Sequence, residues 1–142
     1  MIRLNYPQRL GSGTAQGERG HMKDITVSVL EAALVDIAVE GWRFGRLSAR
    51  LLAKLDASES LRYSNQLRYY LKRTEEALAL AKLHIVDVEG HPYDAGMAAT
   101  AINVADFPDS DALIVDQVVE PIIMSPDGVR RSGTVMLRKA VA

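Results

Sequence analysis

The sequence predicts an α+β protein: an N-terminal helical hairpin forming a dimeric four-helix bundle, followed by a small β-rich C-terminal domain. Three observations carry that expectation. An apolar heptad spacing runs through a proline-free stretch from Lys23 to Leu55. After Leu83 the helical period gives way to short β-branched runs separated by turn residues. Charge divides along the same boundary, with basic residues in the helical half and acidic ones beyond it. Helices first and strands afterwards is the order of an α+β fold, not of alternating βαβ units.

Composition sets the limits. The 142 residues are enough for one domain or two small ones sharing a core. Hydrophobic residues at 48% and charged residues at 25% give an ordinary globular balance. A net charge of -1 supplies no global field toward nucleic acid or membrane. The absence of cysteine excludes disulfides, thiolate catalysis and zinc–sulfur sites, and fits a cytoplasmic protein. No apolar run approaches the roughly 18–20 residues that span a bilayer, and no export signal is expected.

Residues 1–22 read as a flexible tail, because Gly11, Gly13, Gly17 and Gly20 dilute a stretch almost without apolar side chains. Residues 23–83 form the helical dimerisation region. In its first helix Val27, Leu30, Leu34, Ile37, Phe44, Leu51 and Leu55 fall on alternating three- and four-residue steps, with Gly41 and Ser48 filling the gaps. Asp24 is a candidate N-cap. The run Asp56-Ala57-Ser58-Glu59-Ser60 breaks the seam, since serine favours caps over helix interiors. A second helix is expected from about Glu59 to Leu83, with Leu67, Leu71, Leu78 and Ala81 on its apolar stripe.

Residues 84–142 are the expected β-domain, with strands near 85–88, 97–104, 113–119, 122–124 and 134–137. Ser125-Pro126-Asp127-Gly128 supplies hairpin chemistry between the last two of these. Pro121 cannot donate to a ladder and marks an edge or a bulge. From Ile85 to Asp127 there is no lysine or arginine, whereas Arg43, Arg46, Arg50, Lys54, Arg62, Arg68, Lys72 and Arg73 crowd the helices.

The chemistry-bearing residues point away from catalysis. Asp87, Glu89 and His91 would share one face of an extended strand and His84 the other, so a solvated strand edge is expected and not a metal site. No Gly-x-Ser-x-Gly elbow or phosphate-binding glycine loop occurs. No catalytic residue, metal or cofactor is expected. Arg43, Arg46, Arg50 and Lys54 form one basic stripe, read as a solvated helix face or as a surface pairing with the acidic β-domain. Nucleic acid is not an expected partner, because aromatic interleaving is sparse. Gly41 and Gly45 imply close helix approach or a kink, and Trp42 a packing anchor in the core or the dimer interface. Val119, Pro121, Ile122 and Ile123 form an apolar patch, part core and part candidate partner surface.

Several segments resemble one known family. Leu51-Leu52-Ala53-Lys54-Leu55-Asp56 is similar to the Leu-Leu-Pro-x-Leu-Asp stretch of GrpE nucleotide exchange factors. Leu83-His84-Ile85-Val86-Asp87 resembles the Gly-Val-x-x-Ile segment that leads into their β-domain, and Pro92-Tyr93-Asp94 matches their Pro-x-Asp turn. Val115 to Val141 resembles their C-terminal strands, with Arg131 ahead of Val135 and Leu137. The resemblance covers roughly residues 40–142. It departs at residues 95–100, where the family has Pro-x-x-His-Glu-Ala, and at 122–126, where the family has a Lys-Gly-Tyr turn.

The resemblance implies a homodimer that docks a β-domain on the nucleotide-binding domain of a DnaK-type chaperone or DnaK-like ATPase and promotes ADP release. It implies no bond chemistry of its own. The expected dimer interface comprises Leu34, Ile37, Trp42, Phe44, Leu51, Leu55, Leu67 and Leu71. The expected partner-binding residues are Pro121, Ile122, Arg130, Arg131, Val135 and Leu137. The alternative is a dimeric adaptor that retains this fold without exchange activity.

Overall fold

The computed structural model describes residues 15–141. Two compact units divide the chain, residues 1–33 and 34–142. Helix α1 spans Ala15–Leu52 and α2 Ala57–Leu80. Six strands follow: β1 His84–Val86, β2 Ala99–Ala101, β3 Leu113–Glu120, β4 Ile122–Ser125, β5 Gly128–Arg131 and β6 Gly133–Lys139. The architecture is α+β, helices followed by two three-stranded sheets. Among the described residues no helix is long and apolar enough to cross a membrane.

In the first unit residues 15–33 are helical, so the helix starts eight residues ahead of the expected Lys23. Glu18, Arg19, Met22 and Lys23 are adequate helix formers, and each residue added to an existing helix gains a hydrogen bond without a new nucleation step. The expected tail over residues 1–14 lies outside the described residues. Met22, Ile25, Val27, Val29 and Leu30 are all exposed.

The second unit carries both cores. Asp56 caps α2, its carboxylate accepting from the backbone N–H groups of Ser58 and Glu59 at 3.0 Å each and from the Ser58 hydroxyl at 2.8 Å. Those bonds hold its carboxyl below the usual carboxylate range, the Glu59 N–H being the largest cause. Helix α2 ends three residues before the expected Leu83. Lys82 takes a left-handed conformation (φ 57°), and the Leu83 N–H returns to the Leu78 carbonyl at 3.0 Å.

The close approach implied by the two glycines is present. A Cβ on Gly45 would stand 2.8 Å from Leu71 Cδ2, and one on Gly41 would stand 2.9 Å from the Tyr70 hydroxyl. Both glycines therefore let α2 lie against α1.

The first sheet has the order β1-β4-β5, all antiparallel. The second has the order β2-β6-β3, with β2 parallel and β3 antiparallel to β6. Pro121 is the corner at which the chain leaves β3 in one sheet and enters β4 in the other, and it is fully buried. The expected strand over 97–104 shrinks to Ala99–Ala101, and a 3-10 turn occupies Val104–Asp106. The turn at Ser125–Gly128 joins β4 to β5, a strand that the sequence reading passed over, and not to the last strand.

Two apolar clusters result. Val35, Ala38 and Val39 of α1 pack with Leu78, Leu83 and Ile123. Val88, Val115, Val118, Ile122, Val135 and Leu137 fill the second. In β6 the alternation is explicit: Gly133, Val135 and Leu137 face inward while Met136 and Arg138 are exposed. Gly133 is required there, since a Cβ would lie 2.8 Å from the Glu120 carbonyl oxygen and 2.9 Å from Ile122 Cγ1.

Candidate functional site

Helix α1 turns three stripes in three directions within the second unit. Gly41 and Gly45 face α2. Val35, Ala38, Val39 and Trp42 face the cores. Ile37, Phe44 and Leu51 remain open, with 69%, 60% and 55% of their surfaces exposed, and Leu55 is exposed as well. A helix with apolar residues in all three directions has more apolar surface than its own chain covers.

The open stripe continues onto α2. Phe44, Ser48 and Leu51 of α1, with Leu55 just beyond its end, join Tyr63, Gln66, Leu67 and Tyr70 of α2 around a groove of about 490 Å³. The Phe44 and Tyr70 rings meet edge to face, with centroids 6.3 Å apart. Of the eight residues expected at a dimer interface, Ile37, Phe44, Leu51 and Leu55 lie on this open face. Leu67 and Leu71 are half-buried against α1. Leu34 and Trp42 are also half-buried, packed on the two cores of their own chain, which takes much of their apolar surface out of any interface.

The basic stripe of α1 meets the acidic strands. Arg43 pairs with Glu120 and Glu40, and Arg46 with Glu89. The Arg46 guanidinium also lies over the Trp42 ring, 5.1 Å from its centroid. From the sheet side, Arg131 at the end of β5 pairs with Asp36 of α1. Three ion pairs thus tie one helix to two strands and a turn distant in sequence, so this part of the stripe is not a merely solvated face.

The residues expected to bind a partner divide sharply. Pro121, Ile122, Val135 and Leu137 are buried in the β cores and present no side chain to a partner. The period-2 alternation of β6 accounts for this: the residues that gave the segment its apolar character are the inward ones. Arg131 is half-buried and engaged with Asp36, and Arg130 is exposed beside Asp127. The apolar groups that the strands leave open are Val119, Val129 and Met136, with Ile102 just after β2. Val119 belongs to the apolar patch already read from the sequence; Val129 and Met136 stand one residue from Arg130 and from Val135 and Leu137, and the alternate positions of β5 and β6 were the available signal.

His84 and His91 are exposed, and β1 ends at Val86, so Asp87, Glu89 and His91 do not share a strand face. Asp87 accepts from the Glu89 N–H at 3.0 Å in a turn that Gly90 completes at φ 81°. Glu89 in turn accepts from Arg46. No group of three or more histidine or acidic residues able to hold a metal ion occurs among the described residues. Comparison with known proteins adds no relative: no family model, no curated protein and no solved structure matches the chain.

Proposed function

We propose that the protein is a GrpE-like nucleotide exchange factor, dimerising through its helical hairpin and promoting ADP release from a DnaK-type chaperone or a DnaK-like ATPase. The observation that carries this reading is the division of the second unit. A helical hairpin bears an open apolar face, and a pair of sheets that shares core contacts with α1 through Ile123 and Trp42 is tied to it by Arg43–Glu120, Arg46–Glu89 and Arg131–Asp36. A device that acts by shape needs such a handle and a wedge held firmly to it. The ordered segments of residues 40–142 that resemble the GrpE family supply the link to a particular partner.

In this mechanism the factor binds the open form of the ATPase better than the closed form, and the difference in affinity sets the gain in ADP release. The exposed residues Val119 and Met136 on the paired strands β3 and β6 are the docking surface in this reading, in place of the buried residues first expected. Two hairpins joined across the open apolar faces give the four-helix bundle.

The test is release of a fluorescent ADP analogue from the nucleotide-binding domain of a DnaK-type ATPase, taken from the same cells as the protein. Substoichiometric dimer is expected to accelerate release at least tenfold, and Met136→Asp to abolish the gain. Binding that leaves the release rate unchanged would identify an adaptor and overturn the exchange reading.

A further inference from the structure

A recess of about 330 Å³ opens on the sheet half of the second unit, where loops meet the start of β3. Pro92 and Tyr93 line it from one segment, Val104, Phe107 and Pro108 from the segment after β2, and Leu113 from β3 itself. Hydrogen bonds brace these segments. The Tyr93 N–H donates to the Leu113 carbonyl at 2.9 Å. The Asn103 carboxamide donates to the Leu137 carbonyl at 2.9 Å and accepts from the Leu137 N–H at 2.8 Å, which fixes the 3-10 turn on β6. Tyr93 and Phe107 pack on the second core and are half-buried, so each ring is held in place while it lines the recess. The charged residues of the lining, Asp109 and Asp111, are both acidic. Lys139 pairs with Asp111 at 2.9 Å, whereas Asp109 has no hydrogen-bond or ion-pair partner among the described residues.

We propose that this recess binds an arginine side chain presented by an extended peptide segment of a partner protein. Three features of the lining select that group. Its aliphatic stem covers apolar surface of the kind Val104 and Leu113 supply. Its planar guanidinium stacks on an aromatic face, here Tyr93 or Phe107, which a compact ammonium does less well. The free carboxylate of Asp109 accepts two parallel hydrogen bonds from it. An anionic ligand, nucleic acid included, meets two carboxylates instead, and no lysine or arginine occurs between Ile85 and Asp127 to offset them. Pro92, Val104 and Pro108 are exposed at the recess, apolar surface that residues flanking the arginine cover and a free amino acid does not. Val119, in the proposed docking surface, stands six residues along β3 from Leu113, about 20 Å at about 3.4 Å per residue. The site is therefore separate from that surface and does not rest on the exchange reading.

Fluorescence anisotropy with the full chain tests it, using a fluorescein-labelled nine-residue peptide with Leu-Arg-Leu centred between Gly and Ser residues. The same peptide with lysine for arginine is expected to bind several-fold more weakly, and with glutamate for arginine not at all. Asp109→Asn, which breaks no hydrogen bond or ion pair among the described residues, is expected to weaken binding at least tenfold and Val104→Gln several-fold. Asp116→Asn, whose native carboxylate pairs with Arg138 outside the recess, is expected to bind as the parent does. Absence of binding, equal affinity for the lysine or glutamate peptide, an equal loss in Asp116→Asn, or displacement of the peptide by an equal concentration of N-acetylarginine amide would each overturn the assignment.

Discussion

Phe44→Ala tests the proposed dimer most directly, because the ring sits in the middle of the open helical face. A phenylalanine side chain carries about 200 Å² of accessible surface, and Phe44 keeps 60% of its surface exposed within its own chain. Covering that remainder removes about 120 Å² from water, worth about 3 kcal/mol at 25 cal/mol per Å². A two-fold interface counts the contribution twice. Incomplete coverage and the retained Cβ roughly halve the sum, which leaves about 3 kcal/mol and about a 100-fold weaker dimer. Sedimentation velocity across a concentration series reads the dissociation constant, and circular dichroism checks that the hairpin is intact. Met136→Ala, on the outer face of β6, is the matched control and should leave self-association unchanged. A parent protein that stays monomeric at tens of micromolar, or a Phe44→Ala variant with an unaltered dissociation constant, would refute the reasoning.

Two further predictions concern the fold that carries these surfaces. Gly133→Ala should destabilise the chain by about 2–3 kcal/mol in urea unfolding, because its Cβ meets a backbone carbonyl at 2.8 Å that cannot rotate away; an unchanged midpoint would refute the packing argument. Asp56→Asn should keep the cap of α2 and remove its charge. The folded pKa of Asp56 is lowered, so its carboxylate adds stability above the unfolded pKa of about 3.9, and that contribution is lost as pH falls through the lower folded value. The parent's advantage in thermal midpoint over Asp56→Asn should be present at pH 6 and shrink steadily as the pH is lowered below about 4; an advantage that does not shrink would contradict the assignment.

The order of elements was legible in the sequence because both periods are strong where they occur. The heptad steps from Leu30 to Leu55 and the alternation of Thr134–Leu137 each reflect one face, and one face was read correctly as apolar. A period does not say what covers the face. On α1, Val35, Val39 and Trp42 form a second three-to-four-residue series, and this series, joined only by Leu34 of the seam, packs on the cores that the sheets share. The seam residues Ile37, Phe44 and Leu51 are the ones left open. Pro121 illustrates the same limit. Its missing N–H signals an interrupted ladder, which fits an edge, a bulge or, as found, a buried corner between two sheets. Strand β5 was hidden because Val129-Arg130-Arg131 offers one apolar residue, and its pairing comes from the turn at Gly128, with φ 126°.

Charge segregation was visible along the chain, but its consequence needed three dimensions. Arg43 and Glu120 are 77 residues apart, Arg46 and Glu89 are 43 apart, and Asp36 and Arg131 are 95 apart. Each pair is partly exposed and worth at most about 1 kcal/mol alone. Their placement matters more than their sum. Beside the packing of Val35, Ala38 and Val39 with Ile123, Arg131–Asp36 ties the end of β5 in the first sheet to α1 and Arg43–Glu120 ties the end of β3 in the second. In the proposed mechanism, force passes from a docked sheet to the helices only if that joint is stiff. Loss of all three pairs should therefore reduce exchange far more than stability, an imbalance that a merely structural set of ion pairs would not produce.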